Sequence, residues 1–207
     1  MRKEIWDRWR QEFPSLAIHP PHLQFISLSP QRLRFNIWRS NASSDYDFVM
    51  PVYLSLGSNV GDRLANLRSA VEALRADAGI KVVRESRVYE TEPVGNVDQD
   101  AFLNMAVAVE TKLRPPEFLV RTQAIETRLG RVPTRRRGPR VIDIDIVLWD
   151  DVVMNTERLT VPHPEFRKRA FVLVPLAEIA PDALDPVTKR TALILSRNIA
   201  TRGAVQL

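Results

Sequence analysis

The sequence predicts an α+β fold of the ferredoxin-like type, a three-layer αβα domain in which helices flank an antiparallel sheet. The prediction rests on the order of hydrophobic periods, which is β-α-β-β-α-β followed by additions. Strand patterns cover 51–56, 80–89, 102–111 and 141–149, and the first helical pattern covers about 62–76. Further elements are expected at 158–161, 171–179 and 192–199.

The strands are recognised by alternation and by their ends. The first strand stops at Gly57-Ser58-Asn59, a turn signal. Within 102–111, alternate residues separate into two faces, because side chains two apart in a strand point the same way. One face carries Leu103, Met105, Val107 and Val109, and the other carries Phe102, Asn104, Ala106 and Ala108.

The helices are recognised by apolar residues three or four positions apart. In the first helix these are Leu64, Leu67, Val71 and Leu74. Pro115 opens the second helix, as proline does at a first turn, and Gly130 is a plausible end. The inner stripe of that helix is expected to be Phe118, Thr122, Ile125 and Leu129.

Residues 1–49 differ from the rest of the chain. Trp6, Trp9 and Trp38 lie there, but no helical or strand period persists, and Met50 stands immediately before a strand. We therefore predict an irregular N-terminal extension at 1–49, with Met50 as a possible biological start, and one domain at 50–207. The alternative is an accessory segment whose tryptophans dock on the domain. The absence of a period favours the first interpretation.

Composition limits the partners and the surroundings. The 207-residue chain has no cysteine, which excludes disulfides and thiolate metal sites. No apolar run approaches the ~20 residues of a membrane helix, and the N-terminus lacks the apolar core of a signal peptide. A net charge of +5 favours anionic partners. We expect a cytoplasmic protein that does not bind membranes.

Asp143 and Asp145 are the most informative residues. In a strand, residues two apart lie on one face about 6.6 Å from each other. Like charges so placed repel, and Mg²⁺, which prefers one or two carboxylates with phosphate oxygens and water, would relieve the repulsion. The plain alternative is a solvated sheet face neutralised by arginines. A basic loop directly before the strand favours the metal.

That loop, GRVPTRRRGPR at 130–140, carries five arginines in a setting of glycine and proline. The guanidinium fork matches phosphate oxygens two at a time. A nucleic-acid or solubility patch is the commoner use of a basic run, but no aromatic residues interleave here. We therefore favour nucleotide phosphate. The sequence has no G-x-x-x-x-G-K-[ST] motif and no dinucleotide-binding fingerprint, so a nucleotide would be held by other side chains.

Three further positions are weaker candidates. Gln123 and Glu126 are one helical turn apart, and we expect them to project together, away from the inner stripe. His163 lies between two prolines, and Asn104 is polar within an apolar strand. Each would ordinarily be a surface or edge residue, so none indicates a function by itself.

Together these segments resemble the 6-hydroxymethyl-7,8-dihydropterin pyrophosphokinase family over about 52–199. The matching motifs are YLSLGSNVGD at 53–62, SRVYETEPVG at 86–95, FLNMAVAVET at 102–111, QAIETRLGR at 123–131, GPRVIDIDI at 138–146, RLTVPHP at 158–164 and RAFVLVPLAEIAP at 169–181. The resemblance implies transfer of pyrophosphate from ATP to the pterin alcohol, with two Mg²⁺ ions.

The resemblance also assigns residues. Asp143 and Asp145 would hold the metal ions, and Arg131 and Arg140 would act in catalysis. The predicted ATP site is Gln123, Glu126, Arg158, Thr160, His163 and Arg169. The predicted pterin pocket is Thr91, Val94, Phe102, Asn104 and Phe171, where Phe102 replaces a frequent tyrosine.

Two departures from the family pattern lie in the arginine loop. Pro133 stands where the family often has an arginine, and Arg137 stands where a tryptophan usually precedes GPR. Arg135 or Arg136 would supply the lost charge. These departures keep open a catalytically impaired relative that acts as an interaction protein. A basic nucleic-acid-binding module is the other alternative. We expect a monomer that acts on small molecules and does not bind nucleic acid.

Overall fold

The computed structural model describes residues 50–93, 99–132 and 138–200. Its main sheet has five antiparallel strands in the order β2-β4-β1-β5, with β3 also paired to β4. These are β1 (Met50–Ser58), β2 (Ile80–Glu85), β3 (Tyr89–Thr91), β4 (Phe102–Thr111) and β5 (Asp143–Trp149). A second small sheet pairs β6 (Met154–Asn155) with β7 (Thr160–Val161).

Helices cover both faces of the main sheet. They are α1 (Arg63–Arg75), α2 (Pro115–Arg128), α3 (Ala170–Ile179) and α4 (Ala192–Ala200), with a 3₁₀ turn at Phe166–Lys168. One core joins α1 and α2 to residues such as Leu54 and Ile144, and a second core joins α3 and α4 to the small residues Ala106 and Ala108. The predicted ferredoxin-like three-layer arrangement is confirmed.

Local chemistry sets the helix ends that lie near the site. Asp62 caps α1 by accepting a hydrogen bond from the Ala65 amide at 3.0 Å. Pro115 occupies the first turn of α2. Gly130 has a φ of +92°, which lets the chain turn back after α2.

Three strand predictions were too long, and the first was too short. The predicted strand 141–149 begins at Asp143, and the predicted strand 51–56 runs on through Gly57 to Ser58. The predicted strand 80–89 is divided into β2 and β3, because Ser86 turns towards β4: its amide donates to the Ala106 carbonyl and its hydroxyl accepts from the Ala106 amide. Of 158–161, Thr160 and Val161 form a strand. The 3₁₀ turn at Phe166–Lys168 was not predicted.

The predicted extension at 1–49 lies outside the described residues, so the domain boundary at Met50 stays a prediction. In the part of the chain that is described, no helix has the length and apolar character needed to span a bilayer.

Candidate active site

A row of residues crosses one face of the sheet. In the strand registers, Gly57 on β1 stands opposite Asp143 on β5 and opposite Asn104 on β4. One step along, Ser55 stands opposite Asp145 in the same way. Cross-strand neighbours share a face, so both aspartates lie on the side of the sheet that faces α3. The isoleucines beside them lie in the opposite core.

Asp143 is held by two arginines. Arg131 Nη1 lies 2.9 Å from Asp143 Oδ1, and Arg140 Nη1 pairs with Asp143 Oδ2. The Asp143 side chain is 16% exposed, and the arginines are 33% and 26% exposed. The two predicted catalytic arginines therefore converge on a predicted metal ligand, and both keep surface available to a ligand.

Asp145 has weaker basic neighbours. His163 Nε2 lies 3.9 Å and Arg169 Nη1 lies 3.8 Å from Asp145 Oδ2. Burial raises the pKa of Asp145, the nearby charge of Asp143 raises it further, and Arg169 and Arg140 oppose this. The ionised form of Asp145 is thus disfavoured, and a divalent cation beside it would stabilise that form.

The surroundings of His163 favour its neutral imidazole form. Burial and the positive charge of Arg169 lower its pKa. Its Nδ1 accepts a hydrogen bond from the Glu165 amide at 3.1 Å, which leaves Nε2 directed to the site as a donor. Its backbone amide donates to the Val147 carbonyl at 2.9 Å and so ties the segment to β5.

The segment that carries His163 and Arg169 is clamped from behind by Asp185. This fully buried carboxylate accepts two hydrogen bonds of 2.6 Å from Arg167, one from the Val187 amide and one from Thr188. Burial acts to raise the pKa of Asp185, but the four donors outweigh it and lower the pKa to about 2.

Glu126 is placed differently from the sequence prediction. We expected it to project outward with Gln123, but Glu126 is 5% exposed while Gln123 is exposed. Glu126 Oε1 accepts a hydrogen bond from the Ile144 amide at 2.7 Å and pairs with Arg131. The helical period was correct, but the inner face of α2 is wider than the apolar stripe because β5 and Arg131 offer partners to a carboxylate. Burial raises the pKa of Glu126, and these partners oppose the increase.

The predicted pterin residues of β3 and β4 lie together. Asn104 Nδ2 donates to Thr91 Oγ1 at 2.8 Å, and Thr91 stands opposite Phe102 in the register. Asn104 is 3% exposed. A Cβ atom on Gly57 would lie 3.0 Å from Asn104 Oδ1. Because glycine has no side chain, it leaves space on the sheet surface between Asn104 and Asp143.

The other predicted site residues have fewer contacts with the carboxylate pair. Phe171 lies in the first turn of α3, and the guanidinium of Arg169 lies 5.7 Å from the centre of its ring. Arg158 is exposed, and Thr160 donates to Asn155 at 2.9 Å. The described contacts do not join Gln123, Arg158 or Thr160 to the carboxylate pair. Val94 and the loop residues 133–137 lie outside the described residues.

Sequence reasoning missed Asn59, which it read as part of a turn. Asn59 is 3% exposed, and its amide donates to the Arg140 carbonyl at 3.0 Å. Its Oδ1 accepts from the Arg140 amide at 2.7 Å, and its Nδ2 donates to the Asp100 carbonyl at 3.3 Å. It fixes the backbone of Arg140. An open cavity of about 340 Å³ adjoins it, lined by Asn59, Gly61, Arg63, Glu90, Asp100 and Ala101.

The donor set fits magnesium. Within 50–93, 99–132 and 138–200 no group of three or more His, Cys, Asp or Glu side chains could hold a metal ion. Magnesium does not need one, since it binds through one or two carboxylates completed by water and substrate phosphates. Asp143 and Asp145 provide those carboxylates on one face, next to guanidinium groups suited to phosphate.

Known proteins resemble this chain in sequence and in fold. The family model described as 7,8-dihydro-6-hydroxymethylpterin-pyrophosphokinase (HPPK) matches residues 53–181. The 2-amino-4-hydroxy-6-hydroxymethyldihydropteridine pyrophosphokinase of Methylorubrum extorquens is 56% identical over 130 residues, which is 63% of this chain and 82% of that protein.

Two longer proteins match over part of their length. The folic acid synthesis protein fol1 of Schizosaccharomyces pombe is 44% identical over 136 residues, 66% of this chain but 19% of that protein. The crystal structure of wild-type HPPK-DHPS from Plasmodium falciparum matches 77% of this chain and 46% of its own, with a TM-score of 0.60 and 17% identity, and supports the fold alone. The family model covers most of the domain, including both aspartates, and the chain belongs to the 7,8-dihydro-6-hydroxymethylpterin-pyrophosphokinase family.

Proposed function

We propose that this chain transfers pyrophosphate from ATP to 6-hydroxymethyl-7,8-dihydropterin at the face that carries Asp143 and Asp145. As a member of its family it is an ATP-dependent diphosphotransferase of folate synthesis, and the products are AMP and the pterin diphosphate. The observation that carries the proposal is the row formed by Asn104, Gly57 and Asp143. It brings a heterocycle-binding group and a metal-binding group to one face, about 10 Å apart across two strand spacings.

Asp143 and Asp145 would hold two Mg²⁺ ions. When bound, magnesium neutralises phosphate charge and orients the triphosphate for displacement. The support lies in this chain's own residues: burial and the nearby charge of Asp143 raise the pKa of Asp145, and both carboxylates retain exposed surface.

Arg131 and Arg140 would bind the phosphates. Both lie against Asp143, so their guanidinium groups are already at the position where the triphosphate meets the carboxylates. Arginine matches phosphate oxygens two at a time, and it can stabilise the charge that develops on the leaving α-phosphate. Arg169, near Asp145, extends the positive surface on the other side.

The pterin would lie over Gly57, with Asn104 and Thr91 available to its polar edge. Its hydroxymethyl oxygen then forms a bond to the β-phosphorus while the bond from that phosphorus to the α-phosphate bridging oxygen breaks, and AMP leaves with the electron pair. The proton of the hydroxyl group passes to solvent. Such transfers depend mainly on positioning and charge stabilisation, so no strong general base is required.

The same proposal covers the setting of the enzyme. We infer a monomer in the cytoplasm that acts on small molecules and binds neither nucleic acid nor membranes. The absence of cysteine and of a long apolar segment in the sequence supports the cytoplasmic location and the lack of membrane binding. Size measurement in solution and binding to RNA at varied salt concentration test these points directly.

The deciding experiment mixes the full chain with ATP, Mg²⁺ and 6-hydroxymethyl-7,8-dihydropterin and measures AMP. The control is Asp145→Ala, which should fold normally and make no AMP. If the wild-type chain binds both substrates but forms no AMP, the chain is a catalytically impaired relative. If Asp145→Ala retains near-normal turnover, the metal assignment is wrong. A chain that begins at Met50, assayed beside the full chain, tests whether 1–49 contributes.

A further inference from the structure

Glu126 is a buried charge, and burial of a carboxylate is costly unless partners compensate for it. Its side chain is 6% exposed, less than the 16% of Asp143 and the 36% of Asp145. The resemblance predicted direct contact with ATP. A carboxylate so enclosed is better placed to act on neighbouring protein groups than on a nucleotide.

The first of these groups is the peptide between the two metal-binding residues. Glu126 Oε1 accepts the hydrogen bond of the Ile144 amide at 2.7 Å. Among the described strands β5 pairs with β1 alone, at the end of the strand order, so its outer amides need partners from outside the main sheet. Glu126 supplies one from α2, at the peptide that separates Asp143 from Asp145.

The second group is Arg131. Glu126 pairs with Arg131 Nη1, and the Glu126 carbonyl also accepts a hydrogen bond from the Arg131 amide at 3.0 Å. This return of the chain depends on the positive φ of Gly130. Both the backbone and the side chain of Arg131 are therefore fixed to one residue of α2, although Arg131 belongs to a loop.

The third link joins Arg131 to the site. The same Nη1 atom lies 2.9 Å from Asp143 Oδ1, so Arg131 stands between a buried carboxylate and a partly exposed one. If a bound cation coordinates Asp143, and Asp143 no longer pairs with Arg131, Glu126 still holds Arg131 in place. If the ligand itself had to order the long Arg131 side chain, the lost conformational entropy would reduce the binding free energy that the arginine contributes.

We propose that Glu126 is a positioning residue that holds Arg131 ready for the triphosphate and does not touch the nucleotide itself. The proposal rests on the proposed function for the identity of the ligand, but its geometry does not depend on turnover. It distinguishes Glu126 from residues that bind the adenosine part, because the effect of Glu126 must pass through Arg131.

The test is a double-mutant cycle with binding as the readout. The full-length wild type, Glu126→Gln, Arg131→Ala and the double variant are titrated, with Mg²⁺ present, against the non-hydrolysable analogue α,β-methylene-ATP and separately against adenosine. Glutamine keeps an oxygen for the Ile144 amide but removes the charge that holds Arg131. Glu117→Gln is the matched control, since Glu117 lies on the same helix and pairs with the exposed Arg114.

We expect Glu126→Gln to weaken binding of the triphosphate analogue by about 10-fold or more, the scale of one charged hydrogen bond, and to leave adenosine binding within about 2-fold. In the Arg131→Ala background the same substitution should add less than about 2-fold. Glu117→Gln should bind both ligands like the wild type.

Two kinds of result would overturn the proposal. One is an equal loss of adenosine binding in Glu126→Gln, or a full additional loss in the Arg131→Ala background, since either means direct contact with the nucleotide. The other is normal triphosphate binding by Arg131→Ala, which decides against the proposal even if Glu126→Gln does not fold. Absence of AMP formation by the wild type, with the expected binding pattern, would instead reject the proposed function and leave this proposal intact.

Discussion

Replacement of Gly57 by alanine tests the proposed pterin position with a single methyl group. Gly57 lies between Asn104 and Asp143 in the row across the sheet, and a Cβ atom there would be 3.0 Å from Asn104 Oδ1. Asn104 must shift to relieve this contact, which disturbs its 2.8 Å hydrogen bond to Thr91. The methyl group also rises into the space assigned to the pterin.

The expected magnitude follows from these contacts. Crowding a packed position by one methyl group costs about 1–3 kcal/mol, which corresponds to a loss of roughly 5- to 150-fold in pterin affinity. The free energy of unfolding should change less, since replacing glycine in a compatible strand conformation returns about 0.4–1 kcal/mol through the unfolded chain. Affinity for the nucleotide should change little.

The assay measures pterin binding in the presence of α,β-methylene-ATP and Mg²⁺ by calorimetry, with thermal unfolding in parallel. Gly79→Ala is the matched control, because a Cβ atom there would also meet a neighbour at 3.0 Å, the Leu113 Cδ1 atom, at the opposite end of the sheet. The reasoning is refuted if Gly57→Ala binds pterin as tightly as the wild type, or if Gly79→Ala loses as much affinity.

Further substitutions test the charges and the core. Arg140→Ala should lower turnover by order ~10²-fold if Arg140 stabilises the transition state, and single-turnover AMP formation measures this; a change below about 3-fold would contradict it. Because the pKa of Asp145 is raised, its ionisation lowers folded-state stability as pH rises above its unfolded value of 3.8, and Mg²⁺ should offset that loss. The rise in melting temperature caused by Mg²⁺ should therefore be larger at pH 8 than at pH 5.5 in the wild type. In Asp145→Asn it should be independent of pH. Equal rises at the two pH values in the wild type would argue against a role of Asp145 ionisation. Asp185 has a lowered pKa, so its stabilisation is complete above pH 3.8 and is lost as pH falls through about 2. Asp185→Asn should lower the free energy of unfolding by about 2 kcal/mol, measured by urea unfolding at pH 7. The difference in this free energy between the variant and the wild type should become smaller towards pH 2. Phe118 is fully buried and meets Trp149 edge-on at 5.2 Å, so Phe118→Ala should cost about 3–5 kcal/mol by the same method, and a loss under about 1 kcal/mol would be inconsistent with this packing.

The parts of the fold that could be predicted were those set by local patterns. The 102–111 strand has the observed bounds because its alternation runs without interruption between Phe102 and Thr111. The first helix is likewise bounded by its cap at Asp62. The break between β2 and β3 could not be predicted, since it arises from Ser86 hydrogen-bonding to a strand distant in sequence.

In the candidate site, too, some features follow from local sequence pattern and others from contacts between distant residues. Alternation alone requires Asp143 and Asp145 to share a face, whichever strands surround them. The burial of Glu126 and Asn59 could not be predicted, because neither has an unusual local pattern. Glu126 needs the Ile144 amide of an edge strand, and Asn59 needs the backbone of Arg140, 81 positions away.

The sequence by itself determined the order of elements, the shared face of the two aspartates and the basic loop before them, because strand and helix periods are properties of neighbouring residues. Tertiary structure alone decided which arginines meet Asp143, that His163 and Arg169 approach Asp145, and that Glu126 turns inward. These contacts join loop residues to strands and helices, and their formation depends on how helices pack and on which buried polar groups must find partners.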